Sequence, residues 1–312
     1  MGNKEKNFVS AVIYVHNAEK RIELFLNAII NTLQENFEHS EIICVNDNSS
    51  DNSLEEIKRV SKQASATSIS VVNMSYFHGL EVAMNAGVDL AIGDFVYEFD
   101  NVVLDFEMDT IMKVYHRSLQ GFDIVSAVPD RKEKLTSALF YSVFDKFSGM
   151  SCKMHTESFR IMSRRVINRI GSMNKTIPYR KAIYASQGLK TDSLIYKPLS
   201  IKWREEDKLE KGYRTGLAID SLILFTEIGY RFSVAMTAIM MLMSVFMSIY
   251  SIVIFATSNP AAGWTTTILF LSVAFLGLFG ILTIIIKYLQ LLVNLVFKRK
   301  HYSFEGIEKL TK

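Results

Sequence analysis

The segment Glu98-Phe99-Asp100 places two carboxylates one residue apart at the end of the apolar run that begins at Phe95. Where the backbone turns at a strand end, two such groups can approach a common point. Hard divalent cations take oxygen ligands, and Mg²⁺ typically uses one or two carboxylates plus substrate phosphates. The spacing therefore offers a metal site for a phosphorylated substrate, with Glu98 and Asp100 as ligands. Asp47, in VNDNSSD, is a second acidic candidate. Its carboxylate can accept hydrogen bonds from a nucleobase edge, and the same composition equally suits an Asx turn or a helix cap. Asp51 is read as the cap of the helix that follows it.

Cationic groups complete the inventory. Arg131, Lys132 and Lys134 in PDRKEK can neutralise a diphosphate, or form a solvated loop. Arg160, in TESFR, stands among apolar residues, and a partly buried arginine needs an anionic partner. Arg204 and Lys208 precede an apolar segment and suit lipid phosphate or anionic headgroups. His16, His78 and His155 lack the spacing of a metal site. No Ser-His-Asp constellation, Walker loop or glycine-rich dinucleotide fingerprint is present.

These groups need elements to position them. Val9–Val15, Glu41–Val45, Ile69–Asn73 and Phe95–Phe99 read as strands, alternating with helices over Glu19–Asn36, Leu54–Gln63 and Leu80–Ala91. That alternation indicates βαβ units and a parallel sheet. Ligands of such sheets bind at the carboxyl ends of the strands, where His16, Asn17, Asn46, Asp47, Glu98 and Asp100 fall. Further on, helices are expected over Asp105–Leu119, Leu135–Phe147, Arg164–Ile170 and Tyr179–Gln187, with strands at Ile124–Val128, Phe159–Met162 and Ile195–Trp203.

Two uncharged apolar runs close the chain, Phe232–Thr257 with 26 residues and Trp264–Ile286 with 23, joined by Ser258–Gly263. A bilayer core of roughly 30 Å needs about 20 apolar residues of helix, so both are expected to span as an antiparallel hairpin. Lys208, Lys211, Arg214 and Arg231 precede the first run, and Lys298, Arg299 and Lys300 follow the second, while the link carries no basic residue. The positive-inside bias then puts both termini and the domain that precedes the runs in the cytoplasm. Leu217–Ile228 is expected to lie along the membrane surface.

The net charge of +3, with no basic stripe interleaved with aromatics, does not suggest a nucleic-acid binder. Two cysteines, Cys44 and Cys152, give neither a metal set nor a disulfide framework. The polar start MGNKEKN is not read as a signal peptide.

The motifs VSAVIYVHNAEKRI, EIICVNDNSSDNS, MSYFHGLEVAMNAGVDLAIGDFVYEFD and TESFRIMSRRV together resemble glycosyltransferase family 2, and more narrowly its polyisoprenyl-phosphate glycosyltransferases. That group includes dolichyl-phosphate mannose synthases and bactoprenol glucosyltransferases. The resemblance implies an α/β fold: a GT-A nucleotide-sugar-binding domain over residues 1–205, with a mostly parallel, Rossmann-like sheet. An interfacial segment over 206–231, a two-helix transmembrane hairpin over 232–300 and a cytoplasmic tail over 301–312 would follow. It implies inverting transfer from a nucleotide-diphosphate sugar to a polyprenyl phosphate, with Mg²⁺ or Mn²⁺ on Glu98 and Asp100. His16, Asn17, Asn46 and Asp47 would contact the nucleotide. Arg131, Lys132, Arg204 and Lys208 would meet phosphates, and Asp100, Arg160 and Ser158 would form the catalytic group. Bacterial relatives of this group suggest a homo-oligomer. Two other readings stay open: transfer to a hydroxyl of a membrane lipid or lipid-linked glycan, with Glu157 as base, and a non-catalytic scaffold. Departures from the family pattern include Tyr14, His16 and Ala18 in the opening motif, Asn46 for aspartate, Glu98 for aspartate and Ser158 where bacterial members often have aspartate.

Overall fold

A computed structural model describes residues 4–62, 64, 67–131, 135–148, 156–172, 179–186, 188–199, 208–225 and 304–310, with isolated positions between 235 and 292. The chain opens with β1 (Val9–Val15), α1 (Glu19–Asn36), β2 (Ser40–Asn46), α2 (Ser53–Ser61), β3 (Ser68–Met74), α3 (Leu80–Leu90) and β4 (Phe95–Phe99). It continues with α4 (Asp109–Ser118), β5 (Ile124–Pro129), α5 (Leu135–Ser148), β6 (Phe159–Ser163), α6 (Arg164–Ser172), α7 (Arg180–Ser186), β7 (Thr191–Tyr196), α8 (Lys208–Phe225) and β8 (Phe304–Lys309).

One eight-stranded sheet has the order β7-β5-β6-β4-β1-β2-β3-β8. Six strands run the same way, and β6 and β8 oppose their neighbours. The central strand β1 is buried along its whole length. Its alternate residues Val9, Ala11, Ile13 and Val15 pack on one face with Ile22, Phe25, Leu26 and Ile29 of α1. Val12 and Tyr14 pack on the other with Ala83, Met84 and Ala86 of α3. The period of two in the strand and the i, i+3, i+4 spacing in α1 supply these two faces. Gly87 lets α3 lie close on β1, since a Cβ there would stand 2.4 Å from Val12 Cγ1.

Two topological facts position the site. The strand order departs in opposite directions from β1 and β4, which makes a crevice at their carboxyl ends. The reversed strand β6 then brings its first residues to the last residues of β4, pairing Glu98 with Arg160 and Phe99 with Phe159. Phe99, Phe106 and Phe159 pack beneath this end, with ring centroids 5.1 Å and 4.6 Å apart for Phe99–Phe159 and Phe106–Phe159.

The structure corrects several sequence expectations. The strand expected over Ile195–Trp203 begins at Thr191 and ends at Tyr196, because its parallel register with β5 runs from Ile124↔Thr191 to Pro129↔Tyr196. Its polar start, TDS, hides it from a hydrophobicity reading. The helix expected from Asp105 begins at Asp109, because Asp105 is engaged with Tyr196 and Arg131 instead. The helix expected from Leu217 starts at Lys208. Residues 304–309, expected as part of a cytoplasmic tail, form β8 antiparallel to β3. That strand covers an edge whose N–H and C=O groups otherwise lack sheet partners. The apolar runs 232–257 and 264–286 lie largely outside the described residues, among which no helix is long and apolar enough to cross a membrane.

Candidate active site

At the carboxyl end of β2, the Asp47 carboxylate is fully buried. Its Oδ1 accepts the His78 N–H at 2.8 Å, and its Oδ2 accepts the Gly79 N–H at 2.8 Å and the Tyr14 hydroxyl at 3.1 Å. Burial pushes this carboxyl above its ordinary value, against the opposing pull of those donors. Asp47 therefore organises the loop between β3 and α3, and its oxygens are turned to protein N–H groups rather than to a free nucleobase edge. Gly79 takes φ +83°, a backbone state that side chains disfavour, so both consecutive N–H groups can reach one carboxylate.

Around Asp47 the β1–α1 and β2–α2 loops are stitched together. The His16 Nδ1–H donates to the Asp47 carbonyl at 2.7 Å, and the Asn17 amide donates to His16 Nε2 at 3.3 Å. Asn17, at φ 45°, accepts the Ser50 N–H at 2.9 Å on its Oδ1. Asn46 donates to Asn73 Oδ1 at 3.1 Å. Asp51 accepts the N–H of Ser53 and of Glu19, each at 3.0 Å, so it serves the starts of both α2 and α1. The four residues expected at the nucleotide, His16, Asn17, Asn46 and Asp47, are thus brought together at the carboxyl ends of β1 and β2.

A buried ion cluster lies beside them. Arg160 donates to Glu98 at 2.5 Å, to Asp100 at 2.8 Å and to Glu157 at 2.8 Å. Arg180, at the start of α7, donates to Glu98 at 2.9 Å, to Asp100 at 2.8 Å and through Nε to Glu81 at 2.8 Å. The Tyr184 hydroxyl donates to Glu98 at 3.0 Å. Both guanidiniums are 1% exposed, Glu98 is 0% exposed, and Asp100 is 11% exposed. With Lys181 Nζ 3.9 Å from Glu157, three cations face the four carboxylates Glu81, Glu98, Asp100 and Glu157. Burial disfavours the charged form of Asp100, but Arg160, Arg180 and Lys181 outweigh it and hold the carboxyl well below the usual range. Glu157 is likewise lowered, by Lys181 and Arg160 against the effect of its burial.

A family model described as glycosyl transferase family 2 matches residues 10–171, just over half of the chain, and takes in β1 to α6 with Asp47, Asp100 and Arg160. The chain belongs to glycosyl transferase family 2. The uncharacterized glycosyltransferase sll0501 of Synechocystis sp. is 28% identical over 194 residues, 60% of each chain. A prophage bactoprenol glucosyl transferase homolog of Escherichia coli K12 is 28% identical over 196 residues, covering 60% of this chain and 62% of that one. The family 2 chain thus matches about three fifths of the length of these curated relatives. Among solved structures, the mannosyltransferase PcManGT from Pyrobaculum calidifontis, in complex with GDP-Man and Mn²⁺, aligns with a TM-score of 0.53 at 14% identity, over 94% of this chain and 88% of that one. Glucosyl-3-phosphoglycerate synthase from Mycobacterium tuberculosis, with Mn²⁺, UDP and phosphoglyceric acid, aligns with a TM-score of 0.51 at 14% identity, over 70% and 78%. At that identity the likeness is one of fold, a GT-A-like α/β mixed sheet.

In this family 2 chain Glu98 does not fit the role of metal ligand, because its lone pairs are committed to Arg160, Arg180 and Tyr184 out of contact with water. Among the described residues no cluster of three or more His, Cys, Asp or Glu side chains is arranged to hold an ion. Asp100 is 11% exposed at the end of β4, and with each oxygen already accepting from Arg160 or Arg180 it would offer a cation only its remaining lone pairs, in the mode where a single carboxylate shares the cation with substrate phosphates.

A second network stands at the ends of β5 and β7. The Tyr196 hydroxyl donates to Asp105 at 2.8 Å, Ser158 Oγ lies 2.5 Å from that hydroxyl, and Arg131 donates to Asp105 at 3.1 Å. Ser158 is therefore a buried link between Tyr196 and Asp105. Lys132 and Arg204 lie outside the described residues, and Lys208 is the first residue of α8. Sequence reasoning missed Glu81, Arg180, Lys181 and Tyr184. Glu81 reads as an ordinary acid in the first turn of a helix, and Arg180-Lys181 reads as a solvated helix start. Asp105 and Tyr196 were missed because their partners are distant in sequence: they bond each other, 91 residues apart, and Arg131 and Ser158.

Proposed function

We propose that this family 2 glycosyltransferase transfers a sugar, with inversion, from a nucleotide-diphosphate sugar to a polyprenyl phosphate at the cytoplasmic face of a membrane. The observation that carries the reading is the Arg160–Arg180 pair closed on Asp100, beside the Asp47 loop at the carboxyl ends of the central strands. A leaving diphosphate gathers negative charge as the glycosidic bond breaks, and preorganised cations in a water-poor site stabilise that charge. Arg160, Arg180 and Lys181 are the cations nearest that end, and because Glu81, Glu98, Asp100 and Glu157 already balance them, their part is to hold Asp100 ionised and in place. A Mg²⁺ or Mn²⁺ held at Asp100 would add Lewis-acid stabilisation of the same oxygens. The Mn²⁺ in the PcManGT complex supports that expectation.

The acceptor follows from proton accounting. A phosphate monoester has its second pKa near 6, so a polyprenyl phosphate arrives ionised and attacks without a strong base. A hydroxyl acceptor gains about 10²–10⁴-fold from a positioned base. Glu157, the candidate base, is tied to Arg160 and held below its ordinary value, which makes it a weak proton acceptor. Ser158 hydrogen-bonds within the Tyr196–Asp105 network. The bactoprenol glucosyl transferase relatives support the same acceptor class.

The membrane reading rests on the two apolar runs and the flanking charges. The position of β8 supports it. Because residues 304–309 share a sheet with residues 9–15, the segment between α8 and β8 begins and ends on one side of any bilayer it enters, as a hairpin does. An anchored domain gains effective concentration toward an acceptor held at headgroup depth. Purified full-length protein in nanodiscs, given radiolabelled nucleotide sugars, Mn²⁺ or Mg²⁺ and undecaprenyl phosphate, is expected to form a lipid-extractable labelled product. A broad donor panel with no such product would overturn the reading.

A further inference from the structure

Helix α8 reaches the donor side of the site through one side chain. The Tyr213 ring lies against Gly79, so closely that a Cβ on Gly79 would fall 2.3 Å from its Cε2 and Cζ. It meets Phe77 edge-on, with centroids 6.0 Å apart at 85°. Phe77 in turn packs on His16 at 4.8 Å. The Tyr213 hydroxyl lies beside the backbone N–H of Glu81, and burial pushes that phenol up. Tyr213 thus touches the two residues that frame the start of α3: Gly79, whose N–H holds Asp47, and Glu81, whose carboxylate holds Arg180.

One turn further along, Leu217 and then Leu222 pack against the cluster of Phe144 and Tyr179. Positions 213 and 217 share a helix face, and Tyr179 directly precedes Arg180. The helix therefore leans on the Asp47 loop with one residue and on the Arg180 segment with the next. The residues leading into and starting α8 include Arg204 and Lys208, the two cations expected at the acceptor phosphate.

We propose that Tyr213 is a positioning residue that makes the seating of α8 a condition for holding the loop Ser75–Gly79 in its binding shape. Docking of α8 and binding of a nucleotide diphosphate then reinforce each other, since any coupling between two binding equilibria is reciprocal. The ring, not the hydroxyl, carries the effect, because Gly79 is bare on the side the ring occupies. This inference rests on the donor reading given above, and the experiment separates the two.

Hydrogen exchange is measured on the full chain in detergent micelles without ligand, for wild type, Tyr213→Phe, Tyr213→Leu and Leu217→Ala. Losing the ring should speed exchange across residues 75–81 by about tenfold, as expected for a local opening, while β1 and α1 keep their protection. Tyr213→Phe should stay within about twofold of wild type, and Leu217→Ala should reproduce the faster exchange from the far side of the helix. Unchanged exchange at 75–81 in Tyr213→Leu, or a Tyr213→Phe chain as open as Tyr213→Leu, would overturn the proposal. Calorimetry with UDP and GDP plus Mn²⁺ supplies the second arm. Tyr213→Leu should weaken whichever nucleotide the wild type binds by about tenfold, with Tyr213→Phe near wild type. Equal affinity in Tyr213→Leu and wild type would refute the coupling. If wild type binds neither nucleotide, the donor reading is in trouble, and the exchange data still decide whether α8 holds the loop.

Discussion

Glu98 on β4 and Arg160 on β6 are direct cross-strand partners, and their charged groups meet at 2.5 Å out of reach of water. Asp100, two residues on, meets the same arginine at 2.8 Å but keeps a face toward solvent. The two carboxylates of the acidic triplet therefore do different work. Glu98→Gln leaves two buried guanidiniums short of a counter-charge, and breaking a buried pair costs about 3–5 kcal/mol. Asp100→Asn should cost the fold less and the reaction more. Denaturant unfolding of both variants beside a turnover assay checks this: Glu98→Gln is expected to lose mainly stability, Asp100→Asn mainly turnover and Mn²⁺ dependence.

The same cluster sets an acid limit on stability. The carboxyls of Asp100 and Glu157 titrate lower in the folded chain than in the unfolded one, held down by Arg160, Arg180 and Lys181 despite their burial. Their contribution is complete above the unfolded carboxylate values, roughly pH 4, and is lost as pH falls through the folded ones. Asp47 acts in the opposite sense, since burial raises its carboxyl and folding then favours its protonated form. The unfolding midpoint should hold from neutral pH down to about 5 and drop below about 4. In Asp100→Asn the drop should be shallower; an equally steep drop would show that other carboxylates govern acid unfolding.

How far this arrangement is legible in the sequence depends on where each partner comes from. The first four strands and three helices follow from apolar periodicity, because β1 and α1 are buried in the way their patterns require. Asp47 and Asp100 stand out because they end strands of that regular half. Arg160 stands out because an arginine among apolar residues demands an anion. Arg180 does not, because its anions, Glu81, Glu98 and Asp100, are all about 80 or more residues away, and no local pattern records a contact of that kind. The burial of Glu98 was illegible for the same reason. Strand β8 was hidden because its worth lies in covering the edge of β3, not in its own composition.

Ser158 is expected to be dispensable for chemistry. Its hydroxyl lies 2.5 Å from the Tyr196 hydroxyl and 3.4 Å from Asp105, where it completes a structural network. An ionised phosphate nucleophile gives it no proton to take. Ser158→Ala should lower stability by about 1 kcal/mol, the usual worth of one hydrogen bond, and keep kcat within a few-fold. Asp105→Asn should do more, because it weakens the hold on Arg131 as well as on Tyr196. A loss of kcat in Ser158→Ala comparable to that in Asp100→Asn would assign the serine a direct role and reopen the hydroxyl-acceptor reading.

The pairing of β8 with β3 fixes a parity that can be tested in cells. Ser70↔Lys309 and Val72↔Ile307 are register partners in the sheet that also contains β1. A chain that leaves this domain after α8 and returns to it at Phe304 crosses a bilayer an even number of times. Compartment reporters fused before Lys4 and after Lys312 should therefore give the same cytoplasmic reading, and a reporter inserted at Ser258–Gly263 the opposite one. Deleting 303–312 should leave that topology intact while exposing the β3 edge, whose open N–H and C=O groups invite pairing with other chains. The expected result is a lower unfolding midpoint and concentration-dependent association. The exposed Lys58–Glu308 ion pair at 3.0 Å contributes little to that loss, so Glu308→Gln should behave as wild type. Opposite readings from the two terminal reporters would mean that β8 cannot reach β3 in the membrane-inserted protein.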